Sequence, residues 1–201
     1  MSLLHATDGR STLAAALWPQ ARLSSWLRNA ALALGGTVLL WLSAKIQIPL
    51  TPVPVTMQTF AVLVLGIAYG SRLGAATLAL YLAEGAIGLP VFAGGWSEGG
   101  GLHILVGPTA GYLFGFVVAA AVCGWLAEKG WDRSVLTAAA AMVIGNLIIY
   151  ALGLAWLGAQ IGAAGAVKYG LLPFLVGDAL KIVLGALTLP AFWWWLDRRS
   201  A

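Results

Sequence analysis

Between Gly170 and Leu196 the chain reads GLLPFLVGDALKIVLGALTLPAFWWWL, an apolar run of bilayer-spanning length with an acid and a base inside it. Asp178 and Lys181 are three residues apart, so both project from one face of a helix. A single charge at the bilayer centre costs about 2.5–3.5 kcal/mol on insertion scales. The pair must therefore face other protein or a water-filled cavity, and this helix belongs inside a bundle. Two roles fit: a self-neutralising staple between helices, or the polar wall of a substrate site that opens between them.

Five further hydrophobic segments supply the bundle, at about 29–48, 54–70, 72–88, 107–127 and 134–157. About 20 helical residues cross the ~30 Å hydrocarbon core. Only 9% of residues are charged, 61% are hydrophobic, and the mean hydropathy is +0.91; soluble domains carry about 25% charge. The expected fold is an all-α integral membrane protein of six transmembrane helices. Residues 1–28 read as a polar cytoplasmic segment, with Leu13–Leu27 patterned for a short helix along the membrane surface. Residues 29–196 form the membrane domain and 197–201 a cytoplasmic tail. The start lacks the apolar core of a cleavable signal.

An even number of spans puts both termini on one side. With that side cytoplasmic, the inner flanks hold Arg10, Arg22, Arg28, Arg72, Lys129, Arg133, Arg198 and Arg199, and the outer side only Lys45 and Lys168. This asymmetry predicts N-in and C-in. Trp193, Trp194 and Trp195, just before Asp197-Arg198-Arg199, are placed as an inner interfacial anchor. The excess of positive charge reports topology, since no basic patch interleaved with aromatics suggests a nucleic-acid partner. Cys123 lies in an apolar run and reads as a small buried hydrophobe. No lysine follows a glycine, so there is no phosphate-binding loop, and active transport would draw on an ion gradient or another subunit.

The outer connections carry the remaining polar candidates. The first, Ile48 to Phe60, has three prolines that bar regular helix at its start; Thr56 is a cap candidate and Gln58 a polar group at the rim. The second, Glu84 to Pro108, between the third and fourth spans, is glycine-rich yet apolar and aromatic, with Phe92 and Trp96. That composition predicts a lid folded back over the protein. The third, about 158–169, is rich in small residues. Within the lid, Gly95-Trp96-Ser97-Glu98-Gly99 matches the nucleophile pattern of hydrolases, with His103 nearby, but lacks the strand-to-helix turn that gives the pattern its mechanism; His103 reads rather as a polar group at the membrane surface. Glu84, about 18 Å up the third helix from Arg72, can join a site, form an ion pair or reach the outer interface. Asn146 can bond a neighbouring helix or face a ligand. Tyr112, Tyr150 and Trp156 fit pocket walls, packing or the interfacial belt equally well.

TPVPVTMQTFAVLVLG (Thr51 to Gly66), YLAEGAIGLPVFAGG (Tyr81 to Gly95), GPTAGYLFGF (Gly107 to Phe116) and Asp178-x-x-Lys181 occur in an order that resembles the BioY biotin-transporter family. Its members are substrate-binding S components of energy-coupling-factor transporters. The chain departs from the family at Ala110, where Gly is common, and at Trp96-Ser97-Glu98 in the lid. The resemblance implies a multi-pass protein of the bacterial inner membrane that binds biotin without a cofactor. It also implies a transmembrane coupling subunit and two ABC-type ATPases as partners. The first span then offers small residues to the coupling subunit; Ala31 and Gly35, four apart, are the candidates, unless they serve packing within the chain. Biotin has an apolar bicycle, a ureido group with two N–H donors, and a carboxylate on a flexible tail. Asp178 suits the ureido donors, Lys181 the ureido oxygen or the carboxylate, and Phe92, Trp96 and Tyr112 the rings. Gln58, Asn146 and Glu84 complete the candidate site. Two other classes compete: a gradient-driven carrier of a small carboxylate using Glu84 or Asp178 as proton carrier, and an intramembrane hydrolase using Ser97.

Overall fold

The computed structural model describes residues 12–18, 25–96 and 98–200. Its helices are α1 (Leu13–Leu17), α2 (Ser25–Lys45), α3 (Gln58–Tyr69), α4 (Ser71–Ala86), α5 (Ala110–Ala127), α6 (Val135–Ile161), α7 (Ala163–Gly170) and α8 (Leu175–Ser200). A two-residue hairpin, β1 (Gln47–Ile48) with β2 (Val55–Thr56), pairs Gln47 with Thr56 and Ile48 with Val55. A 3-10 turn covers Leu102–Leu105.

Among the described residues, four helices are long and apolar enough to cross a membrane: α2, α5, α6 and α8 through Arg198. With 12 and 16 residues, α3 and α4 are only about 18 and 24 Å long. The segment expected at 54–70 starts its helix late because three prolines precede it, at 49, 52 and 54. Residues 49–57 instead run as hairpin and turn, with a cis Thr51–Pro52 peptide. The break between α3 and α4 falls at Gly70, at φ +83°, a conformation that favours glycine. Glu128 then caps α4 from a distance, its Oε1 accepting from Ser71 N at 2.7 Å and Ser71 Oγ at 2.8 Å. Several boundaries differ from expectation, and the first span runs Ser25–Lys45 rather than 29–48. The small-residue connection at 158–169 is largely helical, because α6 continues to Ile161 and α7 follows directly after Gly162. The last helix starts five residues later than expected, after the turn around Pro173, and runs through Pro190.

Bundle packing centres on α5, whose most extensive contacts are with α6, α3 and α4. Small residues let the backbones meet: a Cβ on Gly66 would lie 2.7 Å from Ala120 Cα. At the end opposite the lid, Asp132 is 1% exposed and its Oδ2 accepts from Trp193 Nε1 at 2.6 Å, tying the α5–α6 turn to α8. Burial pushes the Asp132 carboxyl above the usual carboxylate range.

Candidate functional site

Asp178 begins its helix turn one bond above Phe174, and Lys181 follows on the same face; both side chains are buried. Their Oδ1–Nζ distance is 2.9 Å. Three further groups complete the cluster. Thr59 Oγ1, at the start of α3, donates to Asp178 Oδ1 at 2.9 Å, and Tyr150 on α6 donates through its hydroxyl to Asp178 Oδ2. Lys181 Nζ also donates to Thr59 Oγ1 at 2.9 Å and to the Thr56 carbonyl at 2.6 Å. Every polar atom of the pair thus has a partner, as burial demands. The non-helical chain before α3 is what frees the Thr56 carbonyl for Lys181. Irregular backbone at membrane depth survives when it is buried in protein or lines a cavity, and here it does both.

Above this cluster lies a cavity of about 270 Å³, close to the lower end of the ~300–1,000 Å³ usual for small-molecule sites. Its wall includes Thr56, Gln58, Thr59 and Tyr150 from the polar cluster and its neighbourhood, and Phe92, Tyr112, Phe116 and Phe174 as aromatic surface. Tyr112 and Phe174 are stacked with centroids 6.3 Å apart, and Tyr112 Oη donates to the Gly170 carbonyl at 2.9 Å. Pro52, Val53 and Pro54 form one rim; His103, Ile104 and Thr109 form another. Asp178 and Lys181 do not themselves line the space. They stand behind Thr59 and Tyr150, which line it and bind Asp178 through their hydroxyls.

The loop between α4 and α5 covers the cavity and is held at several points. Phe92 is buried, its ring edge-on to Tyr81 at 5.4 Å. Tyr81 Oη donates to the Val91 carbonyl at 2.6 Å and accepts from Gln58 Nε2 at 2.7 Å. Lys45, at the end of α2, donates to the carbonyls of Phe92 (3.0 Å), Gly95 (2.9 Å) and Glu98 (3.3 Å), and Gln47 exchanges two bonds with Gly94. Trp156 Nε1 holds the Gly107 carbonyl at 3.0 Å. Gly99, at φ +87°, lies so close to the carbonyls of Phe92 and Ala93 that a side chain there has no room. Lys45→Met removes three of these ties without touching the cavity wall. Its expected result is a ligand dissociation rate about tenfold faster, read by stopped-flow chase, with the association rate little changed. An unaltered dissociation rate would show that the lid does not limit exit.

The sequence candidates divide accordingly. Asp178, Lys181, Gln58, Phe92 and Tyr112 converge at the cavity or directly behind it. Trp96 does not: it is largely exposed and packs edge-on against Trp41 at 5.8 Å, outside the cavity. Glu84 is half-buried on α4 and away from the cavity wall. Asn146 is buried one turn from Tyr150 on α6, with its Oδ1 unpartnered, and does not line the space. Ala31 and Gly35 lie on an exposed face of α2, with nothing within 4 Å of a Cβ on Gly35. Ser97 falls outside the described residues, while His103 is exposed at the rim. Thr59 was not anticipated; its only sequence signal is its place next to Gln58. Tyr150 lines the cavity and bonds Asp178, a role that nothing in its local sequence separates from packing or the interfacial belt.

The BioY family model matches residues 13–198. The biotin transporter BioY of Thermotoga maritima is 43% identical over 152 residues, covering 75% of this chain and 87% of that one. The biotin transporter BioY of Rhizobium etli is 38% identical over 159 residues, covering 75% and 83%. Among solved structures, the S component for biotin from an ECF-type ABC transporter superposes with a TM-score of 0.69 at 21% identity, over 83% of this chain and 91% of that one.

Proposed function

Because the chain belongs to the BioY family, we propose that it is the biotin-binding membrane subunit of an energy-coupling-factor transporter. The observation that carries this reading is the lidded aromatic cavity whose wall includes Thr59 and Tyr150, both bonded through their hydroxyls to the buried Asp178–Lys181 pair. Biotin enters ureido end first. Its N–H donors suit a floor that holds a buried carboxylate, whereas its own carboxylate would be repelled there, since the charge of Lys181 is already offset by Asp178. The bicycle lies against Phe92, Tyr112, Phe116 and Phe174, and the carboxylate points to the rim near His103. Gln58 acts by holding Tyr81 and, through it, the lid.

In this reading α2 to α6 and α8 make six spans in the cytoplasmic membrane, with both termini inside. The short α3 and α4 cross because the hairpin and lid fill the outer depth above them. The exposed Ala31 and Gly35 face of α2 receives the coupling subunit, which two separate ATPases drive. Labelled biotin should bind the purified full chain in detergent at a one-to-one ratio, measured by equilibrium dialysis. Absence of saturable binding would sink the proposal, and proton-coupled uptake by the chain alone in liposomes would favour the carrier reading instead.

A further inference from the structure

Two cavities at the end of the bundle opposite the lid belong to no part of the site above. One, about 530 Å³, is polar, and its wall includes Arg28, Asn29, Arg72, Ser71, Trp125 and Glu128. The other, about 460 Å³, is apolar and runs between α1, α2, α3 and α8 along Leu13, Trp18, Val64, Ala68, Leu189 and Phe192. They share Ala14 and Tyr69 as walls, so a charged chamber opens beside a greasy groove.

The charges in the polar chamber do not cancel. Neither Arg28 nor Arg72 pairs with a carboxylate among the described residues. Arg28 donates to Asn29 Oδ1 and to the Trp18 carbonyl, whereas Arg72 is exposed with no hydrogen-bond partner among the described residues. Glu128, the one acid on its wall among the described residues, is engaged as the cap of α4. Lys129 stands beside the chamber, its Nζ 3.6 Å from the centroid of the lining Trp125. We propose that these cavities together bind one anionic glycerophospholipid, its phosphate between Arg28 and Arg72 and an acyl chain in the groove between α1, α3 and α8. The groove alone would accept any hydrocarbon; the two guanidinium groups beside it, without a carboxylate partner among the described residues, select a negative headgroup. Arginine at the membrane rim with an apolar slot beneath it is also the arrangement in which the two halves of a lipid are both satisfied.

Thermal unfolding of the delipidated full chain in neutral detergent tests this, with added dioleoyl-phosphatidylglycerol, dioleoyl-phosphatidylcholine or inorganic phosphate. A ligand that binds only the folded state raises the midpoint. Phosphatidylglycerol is expected to raise it by at least about 4 °C, and the other two by less than half as much. Arg72→Gln, at an exposed position, should remove most of the difference between the two lipids, and Thr188→Trp, which fills the groove, should weaken both. Equal protection by phosphatidylcholine would overturn headgroup selection. Equal protection by phosphate would overturn the lipid. A phosphatidylglycerol effect that survives Arg72→Gln together with Arg28→Gln would place the lipid elsewhere. Biotin binding by Arg72→Gln should stay normal, which separates this outcome from failure of the transport reading.

Discussion

Asp178→Asn is expected to weaken biotin binding at least tenfold, about 1.4 kcal/mol, and the double change Asp178→Asn with Lys181→Met is expected not to restore it. In the native protein Asp178 accepts from Thr59, Lys181 and Tyr150 at once. Its charge therefore fixes the hydroxyls of two residues that line the cavity and strengthens any bond they accept from the ureido N–H groups. Asparagine keeps one acceptor oxygen but turns the other position into a donor aimed at Tyr150 or Thr59. Lys181→Met should be comparably harmful, because it strands a buried carboxylate unless that group takes up a proton. Stability and binding should then part company in the double variant. Removing one member of a buried pair costs about 3–5 kcal/mol, whereas replacing both is often neutral or stabilising. A pair that served only as a staple would give a double variant with normal folding and normal affinity. A pair that shapes the floor gives normal folding with affinity still lost. Equilibrium dialysis of biotin beside thermal unfolding of the four proteins decides between them, and wild-type affinity in the double variant would refute the binding role. Tyr150→Phe is a useful companion, since it leaves both charges in place and removes only the hydroxyl between Asp178 and the cavity.

What the sequence made legible follows from how expensive each feature is. Charges in an apolar run are costly, so Asp178 and Lys181 stand out with no structural knowledge. Prolines and glycines punctuate the chain strongly, so the irregular 49–57 segment and the folded lid could be expected. Aromatic residues are harder, because lipid, lid and ligand all welcome them. Phe92 and Trp96 are four residues apart in the same loop, yet one is buried under Tyr81 and the other stands outside against Trp41. Nothing local separates them; the difference comes from Gly85 on α4 and from Lys45 on α2, both remote in sequence. Thr59 was hidden for a similar reason. A threonine at a helix start is ordinary, and its importance arises only when α8, 119 residues later, brings a carboxylate to 2.9 Å. Helix ends at Ile161 and Leu175 also escaped, since small apolar residues are compatible with helix and loop alike.

Gly85→Val should cost about thirtyfold in biotin affinity, about 2 kcal/mol at the middle of the range for overpacking, while leaving the bundle folded. A Cβ on Gly85 would overlap the ring edge of Phe92. The ring has little freedom to retreat: it packs edge-on to Tyr81, its carbonyl is held by Lys45, and its amide donates to the Gly99 carbonyl at 2.8 Å. Helix α4 is fixed by its own packing on α5, so the lid segment is the part that moves. Phe92 then no longer covers the cavity. Phe92→Ala should by itself weaken binding at least as much, because it removes both the anchor and an aromatic wall. Once the ring is gone the valine has nothing to strike, so Gly85→Val combined with Phe92→Ala should bind no worse than Phe92→Ala. Non-additivity of this kind marks residues that act through one contact. Strictly additive losses in the four-protein cycle, or an undisturbed affinity in Gly85→Val, would show that the notch on α4 does not set the position of the lid.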